Sequence, residues 1–374
     1  MKKIPLIRPR INQKKLFRDI KLILKSGILT RGKFVAAFEK KLADFLNVKY
    51  VFATTSCTTA LHLGLVALDI KEGDEVLVSD FSFPATGNVI VQVGAKPVFV
   101  DIDLESFNIN LDDLKQKITP ETKAIMVVHA FGYPANMSEI MKIAKSHKLF
   151  VIEDAACAIG SKHKDKYCGV WGDVGCFSFH PRKVITTGEG GAIVTNHLEI
   201  AKKIEILRNH GGVKNKRGFS DFIEAGFNYR LTEIQAAIGA EQMSQLKKIN
   251  LGRQKVAQRY LKLLKDVPDL ILPQEPKDGK FNFQSFVIIL PQDIDRAKII
   301  KALSENGIET TLGTYAMHAQ ASFKRFGYRP GQLPNSFFAY EYTLTLPLYG
   351  DLKDKKLRYI VKNLKDIIKR EKNG

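Results

Sequence analysis

A chain of 374 residues with 45% hydrophobic and 26% charged residues is long enough to bury a sizeable core, and the rough size of a domain predicts two units. No apolar run approaches the roughly 20 residues of a membrane span, and the start, Met1-Lys-Lys-Ile-Pro5, has no signal-like apolar stretch, so the expectation is a cytoplasmic protein with no membrane partner. The 58 basic and 39 acidic residues leave a net charge of +19. That excess raises nucleic acid as a partner, but the lysines alternate with apolar residues at helical spacing, as in Lys353-Asp-Lys-Lys-Leu-Arg358, and read as solvated faces. A positive field also attracts an anionic, nucleotide-linked small molecule. Cys57, Cys157, Cys168 and Cys176 show no paired spacing, so free thiols and no metal site are expected.

Along the chain, short apolar runs alternate with amphipathic helical stretches, the pattern of a mostly parallel sheet covered by helices. Seven runs read as strands: 50–54, 75–79, 97–101, 124–129, 149–153, 175–179 and 192–195. Between the first strands and the N-terminus, Val35, Phe38, Leu42, Phe45 and Leu46 share one helical face. A long helical region runs from about Thr232 to Leu264, and the Pro-, Gly- and Asp-bearing segment 268–282 reads as a connection. A strand over 284–290, a helix over 294–306 and a closing helix with Leu357, Ile360, Val361, Leu364, Ile367 and Ile368 on one stripe then predict a small C-terminal α+β domain. The expected division is a large α/β domain over 1–250, N-terminal segment included, and the small domain over 251–374.

The segment Ser178-Phe-His-Pro-Arg-Lys183-Val-Ile-Thr-Thr-Gly-Glu-Gly-Gly191 places a lysine between an apolar strand and a glycine-rich turn. A lysine carried to the edge of a sheet interior is partly desolvated, which is expected to lower its pKa and make the amine a nucleophile for a carbonyl group. Asp154 ends the run Leu149-Phe-Val-Ile-Glu-Asp154, near the carboxyl edge where open α/β sheets bind ligands. Alone it reads as a loop or cap residue; beside a Schiff-base lysine it suits pyridoxal phosphate (PLP), whose pyridine nitrogen stays protonated against a carboxylate. The hydroxyl-rich turn Thr54-Thr-Ser-Cys-Thr-Thr59 opens a helix, which can be an anion cradle or an ordinary cap, and Ser178 can add a further hydroxyl. In Phe81-Ser-Phe83-Pro-Ala-Thr86 an aromatic ring is available to stack on a planar cofactor, although phenylalanine is more often core.

Taken together, the chain resembles the fold-type I, PLP-dependent sugar aminotransferases of the DegT/StrS type. The resemblance rests on Ser26-Gly-Ile-Leu-Thr-Arg-Gly32, Ser56-Cys-Thr-Thr-Ala-Leu61, Phe83-Pro-Ala-Thr86, Glu153-Asp-Ala-Ala156, the Lys183 segment, Leu207-Arg-Asn-His-Gly211 and Phe227-Asn-Tyr-Arg-Leu-Thr-Glu-Ile-Gln-Ala-Ala237. It implies that Lys183 holds PLP, Asp154 meets the pyridine nitrogen, Phe83 stacks on the ring, and Thr58, Thr59 and Ser178 take the phosphate. It further implies that Asn228 reaches the phosphate of a neighbouring subunit, hence a homodimer with shared sites, and that Thr86, Arg230 and His318 contact substrate. For Arg230 an ion pair with Glu233 is the plainer reading. Cys157 stands where the family often carries Gln or His near the cofactor's ring hydroxyl. The implied reaction moves an amino group from an amino acid, expected to be glutamate, to a nucleotide-linked keto-sugar, a 4-keto-6-deoxy or 3-keto hexose. Amination of a keto-inositol, sugar dehydration, and a nucleic-acid-binding regulator on the same scaffold are the alternatives; family members that dehydrate sugars carry His in place of the lysine, which this chain keeps.

Overall fold

The computed structural model describes residues 3–329 and 331–373. Its central sheet has seven strands, β1 (Tyr50–Thr54), β2 (Glu75–Ser79), β3 (Lys96–Val100), β4 (Thr122–Val128), β5 (Phe150–Asp154), β6 (Val174–Ser178) and β7 (Gly191–Thr195). They are ordered β1-β7-β6-β5-β4-β2-β3. Only β7 runs against its neighbours β1 and β6, and the remaining pairings are parallel. The seven expected strands are therefore all present, each within about two residues of the expected bounds, because continuous Val/Ile/Leu-rich runs bounded by turns are what a sheet covered on both faces requires.

Two helices bring the N-terminal segment onto this sheet. Helix α1 (Gln13–Ser26) ends at Gly27 in the left-handed conformation, and α2 (Lys33–Leu46) buries Val35, Phe38, Leu42 and Leu46 against residues of β1, β6 and β7. Helix α3 (Cys57–Ala67) follows β1 and is buried along most of its length between the sheet and its neighbours. A shorter helix, α4 (Ala85–Gln92), follows β2 after a brief extended pair at Phe81–Ser82.

The helical region after residue 232 is two helices, α5 (Glu233–Met243) and α6 (Leu246–Leu264). Leu246 at the start of α6 packs in the core beneath β1 and β7, whereas Val256, Ala257, Tyr260 and Leu264 lie in a second core. That second core is closed by strands Phe286–Ile289 and Thr343–Leu346, helix Arg296–Glu305 and helix Asp354–Asn373, whose whole apolar stripe is buried as its spacing implied. Ile4 also belongs to it, bridged to Ile308. The expected division at 250 thus falls inside one continuous helix, and Ile4 packs with residues of the last third.

Candidate active site

Strand order alone gathers the site. Gly191 at the start of β7 pairs with Thr54 at the end of β1 on one side and with Ser178 at the end of β6 on the other. The two segments that leave those strands therefore flank one point. A Cβ on Gly191 would lie 2.3 Å from the carbonyl carbon of Ser56 and 2.5 Å from the amide nitrogen of Cys57, so only glycine lets the first turn of α3 sit on the strand.

That turn is capped from within. Ser56 Oγ accepts from the Thr59 amide and Thr59 Oγ1 accepts from the Ser56 amide, a reciprocal capping box. The amides of Cys57 and Thr58 remain without a partner among the described residues, at the positive end of a helix and on the wall of a cavity of about 640 Å³. Thr58 and Ser178 line this cavity as expected of an anion cradle, and Ser56 joins them. Thr59 does not, because its hydroxyl is consumed by the cap.

Lys183 and Asp154 face the same cavity. Asp154 is the last residue of β5 and is nearly fully buried. Its Oδ2 accepts from Thr86 Oγ1 at 2.8 Å, and its Oδ1 accepts from the Ala156 amide at 3.1 Å and lies 3.9 Å from the Cys57 sulfur. Lys183 follows the buried strand β6, is half-buried, and donates from Nζ to Cys157 Sγ at 3.1 Å. Burial works to lower the pKa of this amine, but Cys157, Asp154 and Cys57 outweigh it and hold the pKa above the ordinary lysine value. This corrects the expectation of a depressed amine: desolvation is present, yet it acts beside a carboxylate and sulfur acceptors that favour the ammonium form.

Phe83 also lines the cavity, with 65% of its surface exposed and its ring edge-on to Tyr315, so a ring face remains available for stacking. Thr86 lines the wall too, but its buried hydroxyl is turned to Asp154 and to Ser82, at 2.9 Å, instead of towards a substrate.

Besides Thr59, three of the expected residues lie outside the cavity. Arg230 donates to Asn209 Oδ1 at 2.6 Å. Its suggested ion pair with Glu233 is absent because Glu233 accepts from the amides of Gly32, Phe34 and Val35, capping α2 across the chain. His318 is buried against Asp80, donating its backbone N–H to Oδ1 at 2.7 Å and meeting Oδ2 through Nδ1 at 2.6 Å. Asn228 is exposed, tied by a backbone bridge to Asn209.

Other residues complete the wall. His129 follows β4 at the same sheet edge, and its Nε2 meets Glu153 Oε2 at 2.9 Å. Glu153 in turn accepts from the amides of Gly169, Trp171 and Gly172, fixing the loop between β5 and β6. A buried acid inside an apolar strand and a histidine at a strand's carboxyl edge were the available signals for this pair. His180, Arg182 and Glu189 stand at the mouth, and Gln284 enters from the C-terminal unit, donating to the Arg182 carbonyl at 2.8 Å. Nothing in the local sequence of Gln284 marks it.

The amine, the buried acid, the open amides and the exposed ring fit PLP: one group for each part of that cofactor, on one cavity. Residues 10–365 match the model of the DegT/DnrJ/EryC1/StrS aminotransferase family. The chain belongs to this family. It is a PLP-dependent sugar aminotransferase. It is 35% identical over 379 residues to the spore coat polysaccharide biosynthesis protein SpsC of Bacillus subtilis, covering 98% of this chain and 97% of that protein. With the GDP-perosamine synthase of Caulobacter vibrioides it shares 38% identity over 319 residues, 84% of this chain and 85% of that one. Among solved structures, PseC of Helicobacter pylori, described as an aminotransferase involved in the biosynthesis of pseudoaminic acid, superposes with a TM-score of 0.93 at 27% identity and covers 99% of this chain and 100% of that one.

Proposed function

We propose that this aminotransferase moves the amino group of an amino acid, glutamate in the first instance, onto a nucleotide-linked keto-sugar, a 4-keto-6-deoxy or 3-keto hexose, in amino-sugar synthesis for a surface polysaccharide or a glycosylated metabolite. The observation that carries the reading is the placement of the Lys183 amine and the Asp154 carboxylate on one cavity with the open first turn of α3. Bound PLP supplies an electron sink for the carbon that gains or loses the amine.

In this reading Lys183 would hold the cofactor through Nζ, and the same amine, when free, would serve as the acid and base that moves a proton at the substrate carbon. Asp154 would keep the ring nitrogen protonated, Cys157 lies beside Nζ, and Phe83 would stack on the ring. The Cys57 and Thr58 amides, with the hydroxyls of Thr58 and Ser178, would hold the phosphate. Arg182 and His180 at the mouth, together with the net charge of +19, suit a nucleotide diphosphate.

A homodimer with shared sites is part of the proposal. Asn228 is exposed and does not line its own chain's cavity, and it lies next to a hairpin (Gly212–Lys214 with Ser220–Phe222) that carries exposed Phe219, Phe222 and Ile223. An apolar patch of this kind on a protein surface marks an interaction site.

The test is an amination assay with purified protein, glutamate and a panel of GDP- and UDP-linked 4-keto and 3-keto hexoses, followed by product mass. Formation of an amino sugar with release of 2-oxoglutarate is expected from one member of the panel. Amination confined to a keto-inositol, or loss of water without gain of nitrogen, would overturn the substrate class.

A further inference from the structure

We propose that Thr86 is a positioning residue for Asp154: its hydroxyl fixes the carboxylate that faces the cofactor's ring nitrogen, and Ser82 fixes Thr86. The inference rests on the PLP reading of the cavity. Thr86 has no exposed surface, and its Oγ1 donates to Asp154 Oδ2 at 2.8 Å. A hydroxyl has one proton to give. With that proton on Asp154, the 2.9 Å contact between Ser82 and Thr86 is a donation from Ser82 Oγ into Thr86 Oγ1. The buried chain Ser82, Thr86, Asp154 thus points every proton towards the acid, and successive hydrogen bonds of one sense polarise each other.

Asp154 needs this fixing. Its Oδ1 is held by the Ala156 amide, two residues on along its own chain, while the Cys57 sulfur at 3.9 Å is a weak donor. Thr86 Oγ1 is therefore the strong side-chain donor to Asp154 among the described residues, and it comes from α4, a different element. The hydroxyl stops the carboxylate from rotating about its side chain and would keep it set for the ring nitrogen, which is how a second layer of hydrogen bonds acts at a functional site. The short extended pair Phe81–Ser82, bonded to Tyr315–Ala316, anchors Ser82 and with it the whole chain.

Thr86→Val keeps the shape and removes the hydroxyl; Thr86→Ser returns it. Two quantities are measured on each: the PLP dissociation constant of the cofactor-free protein, by fluorescence quenching, and the pH midpoint of the visible band of the loaded protein. The proton on the ring nitrogen withdraws electrons from the nitrogen through which Lys183 holds the cofactor and keeps that nitrogen's pKa low. Loosening Asp154 weakens this withdrawal, so Thr86→Val raises the dissociation constant by about tenfold, the worth of one hydrogen bond to a charged group, and moves the midpoint upward. Thr86→Ser restores both. Ser82→Ala shifts both in the same direction by less.

A Thr86→Val protein with the parent's constant and midpoint overturns the inference, and so does one that melts lower without moving the midpoint. If Thr86→Val does not fold, Thr86→Ala and Ser82→Ala are judged by the same rule. A parent protein that binds no PLP strikes the reading of the cavity instead, so the two failures are distinct.

Discussion

The proton on Lys183 is held more tightly than on a lysine in water, because Cys157, Asp154 and Cys57 surround a half-buried amine. Only the neutral amine attacks an aldehyde, so the rate at which cofactor-free protein takes up PLP should climb with pH through and above the ordinary lysine range. Removing a neighbour that raises the pKa moves that profile towards lower pH, and stopped-flow absorbance on Cys157→Ala checks the sign: a profile displaced upward would refute the account. Lys183→Ala should lose the visible cofactor band and fall in turnover by at least the 10²–10⁴-fold that general acid–base work typically supplies. Residual transamination at the parental rate would remove Lys183 from the chemistry. That Lys183 and Asp154 face one cavity was legible only from their combination, since an acid at a strand's carboxyl end is by itself an ordinary cap and a single lysine is usually a surface charge. The places of His318 and Arg230 were not legible, since their surroundings come from residues 238 and 21 positions away in the chain.

Elements meet the site through contacts that a local pattern does not display. The strands were readable because each is a compact apolar run, and the closing helix because its stripe is regular. Glu233 illustrates the opposite case: at a helix start it looks like a partner for Arg230 three residues before it, but its carboxylate spans 201 residues to the Gly32 amide. Leaving one buried and two part-buried amides bare is costly, so Glu233→Ala should lower stability by about 1–3 kcal/mol in urea unfolding, while an exposed acid such as Asp112→Ala should change it by less than about 0.5 kcal/mol. Equal effects would mean that the cap contributes nothing beyond an ordinary surface charge. Gly191→Ala tests the close approach of α3 to β7. With no space for a methyl group, the first turn must shift, and PLP affinity should drop well before the fold is lost; an alanine protein with the parent's affinity would show that the turn does not bear on the phosphate.

At the scale of the molecule, the proposed sharing of sites between two subunits makes a sharp expectation. Lys183→Ala and Asn228→Ala proteins, each inactive or weakened alone, should regain activity when unfolded and refolded together, because one site of the mixed pair receives both intact residues. No recovery would argue that Asn228 serves its own chain or none. The course of α6 has a different consequence. A 19-residue rod with one end rooted under the central sheet and the other inside the C-terminal core makes the two halves a single mechanical body along that line. Cutting the gene near codon 250 should yield two insoluble fragments, each with raw apolar surface where the rod was severed, and any breathing of the cleft has to pivot around this strut.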